Sequence, residues 1–430
     1  VFKSESVLHS LFSPGKNLDG IMLTTLIYRS QIPLTHEINL SLLVEKANVN
    51  NMSHGVSGIL LFKDNVILQV LEGDESILEQ LFSKIKHDSR HFGVVELMRD
   101  YAPRRRFENV GMMYFDLDTL EADAVLKTVR QLSKLKSYLL TEERVYKFIH
   151  TFITQKRALP VSQYFQPEKW SVIPQRSPFH TPERSPVDTQ CCQFAFQPII
   201  EPLAGHITSL EALIRNKDGG SPASFFASID HDKRYEIDLN SKSVAFALAK
   251  EIDIGDHKIS INILPMSLVV VPDAVEFLLQ EIKKYGMMPE QVIVEVTEDE
   301  MISGFSQFSS AIKKLRVSGM GLAIDDFGAG YAGLSLLTKI QPDKVKIDRE
   351  IITNIHLSGP KQAVVRSIIN CCHELEIAVV AEGIERIEEW CWLESAGIKR
   401  FQGFLFALPE LNGVGEIRWP VNTADSLVQA

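Results

Sequence analysis

The sequence predicts two domains of different class, an α+β domain of ferredoxin-like order in residues 22–118 and a (βα)8 barrel of the TIM type in residues 190–430. Three observations predict them. Strand-like and helix-like stretches follow one another as βαββαββ in the first segment. Prolines punctuate residues 160–186, where a helix cannot continue. From residue 194 onward, eight short apolar runs alternate with longer helical patterns. A length of 430 residues allows two or three domains, and 45% hydrophobic against 23% charged residues is an ordinary globular composition.

In the first domain residues 23–27 are apolar and β-prone, and residues 37–50 carry Leu40, Leu43, Val44 and Ala47 at the i, i+3, i+4, i+7 spacing of a helix. Residues 58–62 and 66–71 read as strands joined by a tight turn at Lys63, Asp64 and Asn65. Asp74 is the N-cap of a second helix with Ile77, Leu78, Leu81, Phe82 and Ile85 on one face. Residues 92–100 and 110–115 supply two more strands. Residues 119–189 form a connector. Its first part has a helical stripe of Leu120, Val125, Val129, Leu132, Leu135 and Leu139, which reads as a packing or dimerisation surface. Its second part is an extended linker or strap. Residues 1–21, ahead of Met22, read as an extension outside the fold.

The barrel strands fall at residues 194–200, 209–215, 258–264, 292–297, 322–328, 344–348, 378–384 and 401–406, with helices such as 302–316 and 361–375 between them. In such a barrel the chemistry belongs at the carboxyl ends of the strands, where the loops converge on one opening. Glu211, Asn262, Glu295 with Glu298, Asp325 with Asp326, Lys346 with Asp348, Glu382 with Glu385, and Gln402 all fall there. One acidic residue at a strand end is ordinarily a helix cap or a surface charge; a lysine there is ordinarily a salt bridge and a glutamine a loop hydrogen bond. Agreement across seven or eight strand ends points to a site. Several carboxylates converging in a barrel mouth need divalent cations, and an all-oxygen set without Cys or His favours Mg2+ or Mn2+ over zinc. Asp325 beside Asp326 suits a pair of ions that clamp a phosphodiester for in-line attack.

The 55 acidic against 45 basic residues, a net charge of -10, exclude a protein that grips a nucleic-acid polymer by neutralising its phosphates. No apolar run approaches the ~20 residues of a membrane span. Lys3, Glu5, Lys16 and Asp19 stand where a signal peptide would be apolar. The five cysteines, odd in number and without C-x-x-C spacing, suit a reducing compartment. The expectation is a cytoplasmic protein with no membrane partner.

The motifs of residues 190–420, with Glu211-Ala212-Leu213, the segment DDFGAGYAGLSLL and the segment AEGIE, resemble the EAL family of cyclic di-GMP phosphodiesterases. The resemblance implies that Glu211, Asn262, Glu295, Asp325, Asp326 and Glu382 ligate two cations. It implies that Lys346 positions or deprotonates the attacking water, that Glu385 and Gln402 complete the site, and that Glu298 supports the loop DDFGAGYAGLSLL. Arg215 is implied in holding substrate phosphate, with Leu213 and Asp348 also on the substrate side. The chain departs from the family at Ala329 and at Tyr331-Ala332-Gly333, neither of which removes a ligand. The product implied is linear pGpG, and a homodimer through the barrel is implied as well.

Residues 22–118 resemble the BLUF family of blue-light sensors, which hold a flavin, FAD or FMN, between two helices of a ferredoxin-like domain. Tyr28 and Gln69 match the pair whose hydrogen bonds rearrange on illumination, and Asn51 matches an amide on the pyrimidine edge of the ring. Ser30, Asn50, Arg90 and His91 are secondary contacts, and Met112 keeps the family's late-strand methionine. Val110 stands where the family frequently has Trp, which bears on the signal route. The function expected is blue-light-regulated, two-metal hydrolysis of cyclic di-GMP. Its rivals are a non-hydrolytic cyclic di-GMP receptor or protein-interaction module, and a phosphodiesterase for another cyclic nucleotide.

Overall fold

The computed structural model describes residues 23–33, 40–101, 105–107, 110–133, 144–154, 166–180, 192–330 and 333–423, without the side chains of residues 100, 101, 144, 147 and 298–307. The extension 1–21, Leu135 and Leu139 of the connector stripe, the Glu298 side chain, and Tyr331 with Ala332 lie outside the described residues. The chain divides into two compact units, Val1–Gln163 with His356–Gln362, and Tyr164–Ile355 with Ala363–Ala430.

In the first unit the sheet is built from β1 (Leu23–Gln31), β2 (Ser57–Lys63), β3 (Val66–Asp74), β4 (Phe92–Tyr101) and β5 (Met113–Asp116), in the order β4-β1-β3-β2-β5. Pairing is antiparallel except for β5, which runs parallel to β2. The β2–β3 turn puts Asp64 and Asn65 at φ 50° and 62°, the left-handed pair that matches the twist of a hairpin. Helix α2 (Glu75–Lys86) begins where Asp74 Oδ1 accepts from the backbone N–H of Ser76 at 3.0 Å and of Ile77 at 3.4 Å.

Side chains along these strands alternate between two apolar clusters. Leu26, Tyr28, Leu60, Ile67 and Leu71 pack with Val44 of α1 (Leu40–Ser53) and with Leu78 and Phe82 of α2. Ile27, Ile59, Leu61, Leu68 and Val70 pack on the opposite face with Val125, Leu126 and Val129 of α3 (Ala122–Leu132) and with Ile149 and Phe152 of α4 (Arg144–Thr154). Val125, Val129 and Leu132 of the connector stripe therefore cover the sheet's second face, while Leu120 is exposed. Both faces being buried explains why these antiparallel strands read as nearly unbroken apolar runs rather than alternating ones.

The second unit holds an eight-stranded barrel, β7 (Gln193–Glu201), β8 (His206–Arg215), β9 (Lys258–Asn262), β10 (Val292–Thr297), β11 (Gly321–Phe327), β12 (Lys344–Ile347), β13 (Ala378–Ala381) and β14 (Arg400–Phe401), closed by pairing of β14 with β7. It departs from a uniform (βα)8 barrel in one respect: β7 is antiparallel to β8, from Gln193↔Arg215 to Glu201↔His206. Only residues 202–205 separate the two strands. That is a hairpin's length, since a parallel return needs a crossover of a dozen or more residues. From β8 to β13 neighbouring strands are parallel. Helices Arg234–Glu251, Ala274–Lys284, Glu298–Val317, Gly359–Glu374 and Ile387–Ala396 connect them.

A short β15 (Glu410–Leu411) also pairs with β7, and part of the proline-marked stretch becomes β6 (Trp170–Gln175), paired antiparallel with β16 (Ile417–Asn422). Trp170 stands edge-on to Trp390 at 5.1 Å, pinning that strap to helix Ile387–Ala396. Among the described residues no helix is long and apolar enough to cross a membrane.

Candidate functional site

At the carboxyl ends of the barrel strands, parallel register brings the acidic residues to one level. Glu211 lies opposite Ser260, Glu295 opposite Asn262 and Ala323, and Thr297 opposite Asp325. Lys346, 1% exposed, is the hub. Its Nζ lies 2.6 Å from Glu295, 2.6 Å from Glu382, 3.1 Å from Glu211 and 3.1 Å from Asp325. Asn262 Nδ2 donates to Glu211 Oε1 at 2.7 Å, and Gln402 Nε2 donates to Glu211 Oε2 at 2.8 Å and to Gln197 Oε1 at 3.2 Å. A cavity of about 220 Å³ opens over this cluster, with Leu213, Arg349, Glu385 and Phe404 on its walls. Gly403 is required there, because a Cβ would sit 2.2 Å from the backbone N and O of Ile384.

The electrostatics follow from crowding like charges out of water. Burial opposes the charge of Lys346, but Asp325, Glu211, Glu295 and Glu382 outweigh it and hold the ammonium well above its usual range. Burial likewise opposes ionisation of Glu211, yet Lys346, Asn262 and Gln402 bring its carboxyl below the ordinary value. Burial pushes Glu295 up to about 7, against the pull of Lys346. Glu382 is raised well above the carboxylate range by burial and by Asp325. Asp326, at a left-handed φ of 52°, is raised to about 6 by burial, Asp325 and Asp348.

A divalent metal pair fits this donor set. Carboxylate oxygens of Glu211, Glu295 and Asp325 lie within 4.8 Å of one another, as do those of Asp325, Asp326 and Glu382, so Asp325 belongs to both groups. Glu295 Oε1 is buried with no hydrogen-bond partner. Fully ionised, five carboxylates against one ammonium would carry four negative charges, the charge of two divalent cations, and the raised Glu295, Glu382 and Asp326 would give up their protons to bound metal.

This state makes a prediction for metal-free protein. Because Glu295 binds its proton more tightly folded than unfolded, the native state holds the extra proton between about pH 4.5 and 7, and stability falls as pH rises through that window. Glu295→Gln removes the penalty. Its melting temperature under chelator should rise relative to the parent between pH 5 and 8, by the equivalent of on the order of 1–3 kcal/mol. A constant difference across that range would refute this.

The remaining sequence-nominated residues are distributed around the mouth. Glu385 pairs with Arg349 Nη2 at 2.7 Å. Arg215 is half-buried, its Nη1 donating to the Ile214 carbonyl at 2.9 Å, and burial lowers its affinity for its proton. Asp348 caps the short helix Arg349–Ile352 by accepting from Glu350 N at 2.7 Å. Three residues at the mouth were not anticipated: Gln197, which also donates to the Ala407 carbonyl at 3.0 Å, Arg349, and Phe404, 48% exposed on the cavity wall.

The first unit has its own cavity, about 240 Å³, between the sheet and helices α1 and α2. Tyr28, Asn50, Asn51, Gln69, Arg90, His91 and Met112 line it, whereas Ser30 is buried on β1 and does not. The Tyr28 hydroxyl donates to Gln69 Oε1, and Gln69 Nε2 donates to Met112 Sδ at 3.4 Å. Asn51 Nδ2 donates to the Gly111 carbonyl at 3.0 Å, and Asn48 Oδ1, a partner not anticipated, accepts from Met112 N at 2.9 Å. Gly111 permits this approach, since a Cβ there would meet the Asn48 carbonyl at 2.2 Å. Burial, with Asp88 adding, holds the Tyr28 hydroxyl protonated far beyond the usual phenol range. Burial makes His91 harder to protonate, and Arg90 pairs with Asp88 at 2.5 Å at the cavity's outer end. An apolar slot with amides from both the sheet and α1, and with the Arg90–Asp88 pair at its outer end, fits a flavin ring.

Comparison with known proteins agrees with both halves. The family described as EAL domain matches residues 187–409, and that described as sensors of blue-light using FAD, BLUF, matches residues 23–113. The blue light- and temperature-regulated antirepressor BluF of Escherichia coli (strain K12) is 45% identical over 403 residues, 93% of this chain and 99% of BluF. Klebsiella pneumoniae BlrP1 in a manganese and cyclic di-GMP complex at pH 6 superposes with a TM-score of 0.87 at 48% identity, over 93% of this chain and 100% of that one. BlrP1 with FMN and cyclic di-GMP but no metal ions gives 0.81 at 43% identity, with the same coverage of 93% and 100%. The cyclic di-GMP phosphodiesterase PdeR of Escherichia coli (strain K12) is 32% identical over 224 residues, 50% of this chain and 33% of PdeR.

Proposed function

The chain belongs to the EAL family and carries a flavin-binding BLUF domain ahead of its barrel, and from that premise we propose that it is a blue-light-regulated phosphodiesterase that opens cyclic di-GMP to linear pGpG. The observation that carries this reading is the acidic mouth around Lys346, with two carboxylate groups, each within metal-ligand reach, that share Asp325. Glu211, Asn262, Glu295, Asp325, Asp326 and Glu382 would hold the ions, Mg2+ or Mn2+, which when bound would polarise the phosphodiester and lower the pKa of a water beside it.

The chain's own groups do the rest. Lys346, held as an ammonium, orients the attacking water and offsets charge growing on the phosphate; the carboxylates around it oppose the loss of its proton, so positioning is favoured over deprotonation as its role. Gln402 and Gln197 fix Glu211, and Glu385 aims Arg349 at the rim. Arg349 and Arg215 meet the substrate phosphates, and Phe404 offers a flat apolar surface to a purine.

In the sensor, the flavin supplies blue-light absorption and an excited state that takes an electron. Tyr28 is placed to give that electron with its proton. The Gln69 amide can exchange donor and acceptor ends between Tyr28 and Met112, passing the change to β5 without Trp at position 110. Cyclic di-GMP turnover with Mn2+ or Mg2+, in darkness and in blue light, tests the whole proposal. Hydrolysis should be faster in light, and Tyr28→Phe should abolish both the light-induced shift of the flavin absorption band and the rate difference. An equal light effect in Tyr28→Phe would refute its role. The antirepressor name of BluF favours a second reading, a light-regulated protein contact without hydrolysis. Substrate binding with no turnover in either condition would select it.

A further inference from the structure

Two lysines on β12, Lys344 and Lys346, stand two residues apart and so project on the same side of the strand, into the barrel. Both are buried, and their surroundings differ. Lys346 is ringed by four carboxylates within 3.1 Å. Among the described residues Lys344, 5% exposed, makes no ion pair, and the one hydrogen bond of its Nζ goes to Ser209 Oγ at 3.3 Å. An ammonium has three donors and a full charge, and a hydroxyl answers one donor and none of the charge. Ser260, which lies two residues before Asn262 as Ser209 does before Glu211, adds a fully buried hydroxyl with no partner in this lower layer.

The structure beneath Lys344 is open. A cavity of about 760 Å³ lies at the amino ends of the strands, remote from the acidic mouth at their carboxyl ends. Lys258, His206 and Arg400 join Lys344 in lining it. Arg400 spends its Nε on Glu201 at 3.0 Å, which leaves the terminal fork of the guanidinium without a bond among the described residues. Of the three carboxylates on the wall, Asp256, Glu290 and Asp343, Asp343 accepts from Leu322 N at 2.8 Å, and none pairs with Lys344 among the described residues. Burial lowers the Lys344 pKa to about 8, Glu295 opposing and Lys346 and Arg400 adding, so Lys344 feels Arg400 as a like charge even though Arg400 pairs with Glu201.

We propose that this lower cavity binds a phosphate-type oxyanion, free or carried on a small molecule, between the ammonium of Lys344 and the guanidinium of Arg400. A phosphate supplies several acceptor oxygens at once, enough for a guanidinium fork and an ammonium together, and the negative charge that the lower layer lacks. The volume exceeds that of the ion, so an attached sugar-sized group has room.

The test is calorimetric titration of the full chain with inorganic phosphate, and separately with ribose 5-phosphate. It is run at pH 7, constant ionic strength and with chelator present, on the parent, Lys344→Met and Arg400→Gln. The parent should bind saturably, and each variant should lose affinity by about tenfold to a hundredfold, the worth of a charge-assisted hydrogen bond. Ribose 5-phosphate binding at least about tenfold tighter than inorganic phosphate identifies the phosphorylated small molecule as the source, and equal affinities identify the free ion. Arg400→Gln guards against a fault in Lys344→Met that spreads to Lys346. Absence of saturable binding of both probes to the parent, or unchanged affinity in both variants, would overturn the proposal.

Discussion

Asp325→Asn should leave a folded protein whose cyclic di-GMP turnover is reduced on the order of a thousandfold or more. Asp325 is the residue common to the two carboxylate groups of the mouth, so its neutralisation should weaken both proposed ion sites at once. It also removes one of the four anionic neighbours of Lys346. The fold should survive, because the contact Asp325 makes with the backbone, accepting from Asp326 N at 3.0 Å, is one an asparagine oxygen also makes. The measurement is a turnover assay in Mn2+ alongside thermal melting and a metal titration. Turnover within tenfold of the parent would mean that Asp325 does not bridge the two sites.

Asp238→Ala should destabilise the barrel by about 3–5 kcal/mol, the cost of leaving a buried charge without its partner, and lower the melting temperature by roughly 10 °C. Asp238 is 1% exposed on helix Arg234–Glu251 and accepts from Lys242 Nζ at 2.7 Å, Ser267 Oγ at 2.7 Å and Leu264 N at 3.0 Å. It ties the helix to the segment that leaves β9 immediately after Asn262. The variant strands the Lys242 ammonium, itself 2% exposed. Asp238→Leu combined with Lys242→Met should recover much of the loss, since apolar replacement of a buried pair is often neutral or better. Urea titration reads both effects, and a loss below about 1 kcal/mol for Asp238→Ala would show that water reaches the pair.

The apolar runs and the acidic strand ends were legible because burial and convergent charge leave direct marks on composition. Gln197 was not, for a topological reason. A parallel barrel directs attention to carboxyl ends, but β7 runs the other way, so Gln197 meets Glu211 from mid-strand. The mark was available in residues 202–205, which are too few to hold a helix. Arg349 opens a four-residue helix after β12 and Phe404 lies in the turn after β14, both too short for periodicity to separate a cavity residue from its neighbours. Asn48 lies on α1 one turn from residues whose spacing spoke only of packing. The stripe of Val125 and Val129 announced an apolar face without saying which surface it would cover, and only the tertiary fold supplies that.

The doubly covered sheet of the first unit has a mechanical consequence. Gln69 faces the cavity, while its immediate neighbours Leu68 and Val70 are wedged among side chains on the far face with α3 and α4. A close-packed interior has little slack, so a strand cannot be displaced toward one layer without tugging on the other. A rearrangement of the Gln69 amide, as proposed, would thus be felt as strain on the helix-covered side, with no side chain having to cross the sheet. The sheet would then serve as a shared wall, with the cavity on one side and α3 and α4 packed as a sounding layer on the other.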